Sequence, residues 1–260
     1  MATKNVPVAK KTTAVANYVD RMAALAQEAV EQEKSVSSGS FISFKSGRIS
    51  FQGNTIKGDE LDVIVIDSVL ENCYYPGVYD SDNPAPPVCY AFGRDEKTMA
   101  PHAESSSPQS ELCSECQWNK FESAEQGRGK ACKNVRRLAL LPSDAAASAE
   151  AVGSAEMAFA KIPVTSVKGW ATYVRGLSTL EKKPPIAVIT TIGTVPDDKS
   201  QFKVTFNKAE NVDSDLLPAL LDRFDAVKGE IMFPYPAPSE ESAKPAGRGA
   251  KTPAAKARKY

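Results

Sequence analysis

The chain has one histidine, His102, in 260 residues. A single imidazole leaves little material for Ser/His/Asp or Cys/His catalysis. Walker A and G-x-G-x-x-G segments are also missing. Gly127-Arg128-Gly129-Lys130 is too short for a phosphate loop. No apolar run reaches the roughly 18 residues that a membrane span requires, so no membrane partner is expected. The first residues carry Lys4, Lys10 and Lys11 but no apolar stretch, so no secretory signal is expected there. Net charge is absent too: 32 basic and 32 acidic residues cancel. Any attraction to anions must therefore come from local patterning.

Local patterning is strong. Arg128, Lys130, Lys133, Arg136 and Arg137 lie in ten residues without an acid. Lys244, Arg248, Lys251, Lys256, Arg258 and Lys259 do the same between Lys244 and Tyr260. The 42% hydrophobic and 25% charged composition is that of a soluble globular chain, long enough for one embellished domain or two small ones. Five cysteines make an odd number, and four of them suit a metal better than a disulfide framework. A reducing cytoplasm is the expected compartment.

Periodicity predicts a helix over 13–34, with Val15, Tyr18, Val19, Met22, Leu25, Ala26 and Ala29 on one side. A hairpin is expected around Gly47, from Phe41–Phe44 to Ile49–Phe51. Further strands are expected over Leu61–Asp67, Val88–Phe92, Val135–Leu141, Ile186–Ile192 and Phe202–Phe206. A Pro/Gly/Asp loop over Cys73–Pro87 carries Tyr74, Tyr75 and Tyr79. Helices are expected from Thr165 or Ser166 to about Leu180 and over Leu216–Val227. Residues 143–160 are ambiguous between a weak helix and a linker. The expected fold class is mainly β with flanking helices (α+β), an OB-like small barrel, with a split α+β sheet as the alternative. The expected domains are a disordered 1–12, a core over 13–233 with a zinc-binding insertion at about 93–136, and a disordered basic tail over 234–260.

Cys89, Cys113, Cys116 and Cys132 form the pattern C-x23-C-x2-C-x15-C. Four thiolates give zinc a closed, tetrahedral, structural site that would clamp both ends of the insertion. In small zinc modules such binding contributes about 10–16 kcal/mol. His102 is an alternative ligand in place of Cys89 or Cys132. The competing reading is a chance C-x2-C among buried thiols, and Cys73 is expected to be a core or free thiol. His102-Ala103-Glu104 ahead of Cys113-x2-Cys116 mimics the zinc deaminase pattern. Only eight residues separate Glu104 from Cys113, and Leu112 replaces the proline, so no catalytic residue is assigned and the protein is not expected to be an enzyme. Scattered pairs such as Asp62 with Asp67, or Asp80 with Asp82, are read as surface acids rather than a magnesium site.

Single strands are held by a positive groove along the phosphates and by aromatic rings on the bases. Arg128, Lys130, Lys133, Arg136 and Arg137 are candidates for the first role. Tyr74, Tyr75, Tyr79, Trp118 and Phe121 lead the candidates for the second, with Tyr90 and Phe92 behind them. Phe41, Phe44, Phe51, Trp170 and Tyr173 are expected in the core.

Several segments together resemble a known group: Cys73-Tyr74-Tyr75-Pro76-Gly77-Val78-Tyr79-Asp80, Pro87-Val88-Cys89-Tyr90-Ala91-Phe92-Gly93, Pro101-His102, Cys113 to Phe121, and Gly129 to Asn134. They look like a set of tailed-phage and prophage proteins similar to zinc-containing phage single-stranded DNA-binding (helix-destabilising) proteins. The resemblance covers about 60–141 and extends weakly over 161–206. It implies an OB fold, a structural zinc ion and sequence-tolerant coverage of single-stranded DNA during phage replication or recombination, in the host bacterial cytoplasm. It also implies one His and three Cys as ligands, which favours His102. Such proteins usually end in an acidic, partner-recruiting tail, whereas this chain ends in Lys256-Ala257-Arg258-Lys259-Tyr260. Replication or recombination partners are thus expected less through an acidic tip, and the basic tail is expected to add affinity for nucleic acid. The alternative reading is a zinc-stabilised protein-interaction module of a replication or transcription complex.

Overall fold

The computed structural model describes residues 41–77, 85–125 and 127–235, together with Arg21, Met22 and Leu25. The chain divides into two compact units. One comprises Met1–Ser68 with Arg137–Ile231, the other Val69–Arg136 with Met232–Tyr260. The expected helix over 13–34 lies mostly outside the described residues, and its three described positions are helical.

The first unit is built on a strand-rich sheet. Strand β1 (Phe41–Lys45) turns into β2 (Arg48–Phe51), and β2 into the two-residue β3 (Asn54–Thr55). Both connections are two-residue turns with left-handed backbone at both positions: Ser46 and Gly47 (φ 53° and 75°), then Gln52 and Gly53 (φ 49° and 80°). This geometry matches the twist of paired strands and calls for glycine at the second position. β4 (Glu60–Tyr74) leaves the unit after Ser68, and β6 (Lys133–Pro142) re-enters it at Arg137. β7 (Ala158–Ile162), β8 (Val188–Asp197) and β9 (Gln201–Asn211) complete the order β3-β2-β1-β7-β6-β4-β8-β9. β1 pairs with β7 in parallel, while β4 with β8 and β8 with β9 are antiparallel.

The sheet curls. The Thr194 hydroxyl on β8 donates to the Gly47 carbonyl at 2.5 Å, although three strands separate β1 from β8 in the sheet order. A Cβ on Gly47 would lie 3.5 Å from that of Phe202 on β9. The main core cluster includes Ile42, Ile49, Val63, Leu138, Leu140, Ile162, Ile192, Val204 and Phe206. Burying one such side chain contributes about 1.5–3 kcal/mol.

Among the described residues after β3, this unit also holds the helices α1 (Ala149–Ser154), α2 (Val164–Gly176) and α3 (Leu217–Glu230). α2 is fixed to β9 by the buried Ser166 hydroxyl, which accepts from the Val204 amide at 2.8 Å, and by Trp170 edge-on to Phe206 at 5.1 Å. Residues 143–160, ambiguous in sequence, hold both α1 and the start of β7. Alternation over Ala158–Ile162 is too short to separate from a linker until its partner β1 is known.

In the second unit, the far half of β4 pairs antiparallel with β5 (Cys89–Gly93), from Leu70↔Gly93 to Tyr74↔Cys89. β4 therefore runs through Cys73 and Tyr74, which the sequence assigned to a loop. A small core of Leu70, Ala91, Met99 and Cys113 lies beside this pair. Gly93 is required there, since a Cβ would come within 2.5 Å of the Met99 side chain. Among the described residues no helix is long and apolar enough to cross a membrane.

Candidate nucleic-acid interface and thiol cavity

The segment after β5 has almost no repetitive structure. It is organised by hydrogen bonds back to β5 and across itself. His102 N–H donates to the Tyr90 carbonyl at 2.7 Å, and Ser107 N–H to the Val88 carbonyl at 2.8 Å. Between them, the buried Ser105 hydroxyl both accepts from the Tyr90 amide and donates to the Tyr90 carbonyl, each at 3.1 Å. The segment thus takes the place of a neighbouring strand and covers the edge of β5, which would otherwise invite pairing with another chain.

Farther along, Cys113 N–H donates to Met99 and Cys132 N–H to Trp118, both at 2.8 Å. Cys89, Cys113, Cys116 and Cys132 are each at most 9% exposed, and all four line one cavity with Asn72, Tyr74 and Gln109. The cavity has about 20 Å³ of room for a water-sized guest, which is space for one small occupant. The residues that the spacing nominated as ligands are therefore brought together. They do not converge on one point: among the described residues, no three His, Cys, Asp or Glu side chains stand in a metal-holding group.

Burial raises the Cys89 and Cys113 thiols, and pushes Cys132 up to about 12. Neutral thiols pack as small hydrophobes, whereas a divalent cation would deprotonate them and draw them inward. Supporting donors are in place: the Asn72 side chain bonds to Cys113 and the Gln109 backbone to Cys89. Asn72 is itself held by the Asn134 amide at 2.5 Å. This is the outer shell a thiolate site needs.

His102 is placed differently. Its ring stacks on Tyr90 at 5.1 Å and meets Phe92 edge-on at 6.0 Å, its Nδ1 accepts from the Glu104 amide, and it does not line the thiol cavity. Residues 102–116 contain turns and no α-helix, so His102, Glu104, Cys113 and Cys116 do not form the helical arrangement of a deaminase.

The candidate binding residues separate into groups. Tyr74 and Trp118 stack on each other at 5.1 Å with planes 17° apart, and Trp118 Nε1 donates to Gln109 at 2.9 Å. Both are half-buried, and burial raises the Tyr74 phenol. Phe121 is the exposed ring, at 77%, with Lys130 Nζ 5.4 Å from its centre. Lys130 Nζ also donates to Asn119 at 3.1 Å, and Lys133 Nζ to the Lys130 carbonyl at 3.3 Å. Arg128 and Lys133 are exposed. The loop carrying Arg128 is closed by Glu122 N–H to Arg128 O and Ala124 N–H to Gly129 O, both at 3.2 Å, with Gly127 at φ 77°. Arg136 is half-buried, with burial lowering its pKa and Glu96 opposing that shift. Tyr75 is 36% exposed, and Tyr79 lies outside the described residues.

Arg137 is a correction. It is 1% exposed, in the first unit, with Nη1 donating to the Ile231 carbonyl at 3.2 Å and its guanidinium 5.6 Å from the Phe41 ring. Neighbouring residues on a strand face opposite ways, so Arg136 and Arg137 cannot share one surface.

Sequence reasoning missed a buried polar cluster. Glu71, fully buried on β4, accepts from the Tyr235 hydroxyl and from Cys73 Sγ at 3.3 Å, and burial pushes the Tyr235 phenol far up. Tyr235 also meets Tyr90 edge-on at 5.0 Å. The visible signal was Glu71-Asn72 continuing an apolar strand. The distant Tyr235 carried none. Cys73 is fully buried, as expected of a core thiol.

No family model matches the chain, and neither does any curated protein or solved structure.

Proposed function

We propose that the protein binds single-stranded DNA without sequence preference, in support of phage DNA replication or recombination, and is not an enzyme. The observation that carries this reading is the Phe121 platform. An aromatic ring 77% exposed stands with an ammonium group over it, Arg128 is exposed on the adjoining closed loop, and Lys133 is exposed at the start of β6. A ring that a base can stack on, next to cations that a phosphate can meet, is the minimal single-strand contact. A lone exposed Phe would equally suit a protein partner; the surrounding cations favour the polyanion.

Zinc is the structural cofactor in this reading. Cys89, Cys113, Cys116 and Cys132 would hold it as thiolates, with Asn72 and the Gln109 amide supporting two of them. With four protein ligands it would supply no catalysis and would pin the Phe121 loop. The curled sheet of the first unit supports an OB-like barrel as the scaffold, and the basic residues from Lys244 onward would add sequence-independent affinity.

The test is a fluorescence titration of labelled single-stranded and duplex oligonucleotides from low to high salt, with metal content measured on the same sample. Tight single-strand binding that falls steeply with salt is expected. Equal affinity for both forms at every salt concentration would overturn the reading. Negligible affinity for either would favour the interaction-module alternative.

A further inference from the structure

The first unit contains an apolar cavity of about 370 Å³, within the range of sites that take a small molecule. Protein interiors are close-packed, with few voids larger than a water molecule, so a space of this size needs a reason. Phe51, Ile56 and Leu61 line it and are only half-buried, although all three pack against the main core cluster. Another part of the lining comes from the Ala/Ser-rich residues 143–160. That stretch contributes Ala145, Ala151 and Ala155, and no large apolar side chain that would fill the gap.

Helix α1, which carries two of these alanines at its end, is anchored on both sides. At its start the Ser148 hydroxyl accepts from the Ala151 amide at 3.1 Å. At its end Arg223 on α3 donates from Nη1 to the Gly153 carbonyl at 3.3 Å and from Nη2 to the Ala155 carbonyl at 2.8 Å. Ala151, Ser154 and Ala155 are spaced by three and four positions, so one side of the helix faces the cavity. Val152, the large apolar residue of α1, is fully buried and is not part of the lining. Rolling α1 to close the gap would forfeit that burial and the Arg223 bonds. The space is therefore kept by the fold rather than left by loose packing.

The charged side chains of the described lining are Asp144 and Glu156, both carboxylates and both exposed. An apolar guest with an anionic head would be repelled there, and one with a cationic head attracted. We propose that the cavity binds a small organic cation with an apolar body. The body would lie against Phe51, Leu61 and the alanines of 143–160, and the positive head at Asp144 and Glu156. The proposal is independent of nucleic-acid binding and of zinc.

The experiment titrates the full chain, labelled at its alanine methyl groups, with octyltrimethylammonium and separately with octanoate. The cation is expected to saturate a single site, to shift the Ala145, Ala151 and Ala155 methyl signals, and to bind about tenfold more tightly than the anion of similar chain length. Asp144→Asn combined with Glu156→Gln should bring the two probes within about twofold of each other. Ala151→Leu, which fills the space from within, should abolish saturation in a protein still folded by circular dichroism. Where that variant fails to fold, the carboxylate variants and the methyl shifts decide the matter. Octanoate binding as tightly as the cation would overturn the assignment of the head group. Saturation that leaves the three methyl signals unmoved, or that survives in folded Ala151→Leu, would overturn the site. Failure of both probes to bind would overturn the proposal outright.

Discussion

Phe121→Ala separates a binding platform from a structural ring. Phe121 is 77% exposed, so truncation removes little buried surface, and the cost to stability should stay within about 0.5 kcal/mol. If a base stacks on the ring, losing it costs about 1–3 kcal/mol per base. That is roughly a 5- to 150-fold rise in Kd, and it should persist at high salt because stacking releases no counterions. Lys130→Gln should behave in the opposite way. Its ammonium lies 5.4 Å from the ring centre and contacts Asn119. Losing one phosphate contact lowers the slope of log K against log salt by about 0.7. The double variant should lose less than the sum, because removing either partner also removes the ring–cation contact. Anisotropy titrations of a labelled oligothymidine over a salt series measure all three. A Phe121→Ala protein that is folded and binds as tightly as the parent would refute the stacking argument, whatever the lysines contribute.

Three further outcomes are expected. Purified protein should contain about one zinc per chain, and a strong chelator or Cys116→Ser should lower the unfolding temperature of the second unit while leaving that of the first unchanged; full stability without metal in calorimetry would count against the clamp. Arg137→Ala should destabilise the first unit by about 2–4 kcal/mol in urea, through an unpaired Ile231 carbonyl and lost packing, yet leave oligonucleotide affinity of the folded protein within about twofold. Lys203 and Ser200 hold the Asp197 carboxyl at about 2, below its ordinary value. Its contribution to the β8–β9 turn is therefore present above the ordinary carboxylate range and lost as pH falls toward 2. An NMR titration that places Asp197 near 4 would remove that contribution.

How much of this was legible follows from which interactions are local. The β1–β2 hairpin announced itself through Ser46-Gly47 between alternating residues, and α2 through Trp170, Tyr173, Val174 and Leu177. The four cysteines were legible as a set through the C-x2-C pair and its two flanking partners, and the fold does bring all four to one cavity. β7 was not legible, since its five residues gain meaning only beside β1, more than a hundred positions earlier. Arg137 was misread because a basic run looks like one surface in one dimension, whereas a strand sends its members to opposite sides. Glu71 and Tyr235 could not be matched: their hydrogen bond spans 164 positions and uses residue types found anywhere.

The thiol cavity and the covering of β5 bear on each other. Residues 102–107 satisfy the outer edge of β5 through His102, Ser105 and Ser107, but this edge contact is local and polar. Such bonds contribute only about 0.5–1.5 kcal/mol each. The loop that presents Phe121 lies beyond them, between Cys116 and Cys132, and has no strand to rest on. If this loop is the proposed platform, holding Phe121, Arg128 and Lys130 in register would need restraint at both of its ends. Cys116 and Cys132 stand at those ends, and Cys89 ties the same cavity to β5. In the proposed reading, restraint of the loop is what a metal held by these cysteines would provide. By this logic, disrupting the cluster should weaken binding even though no cysteine touches the strand.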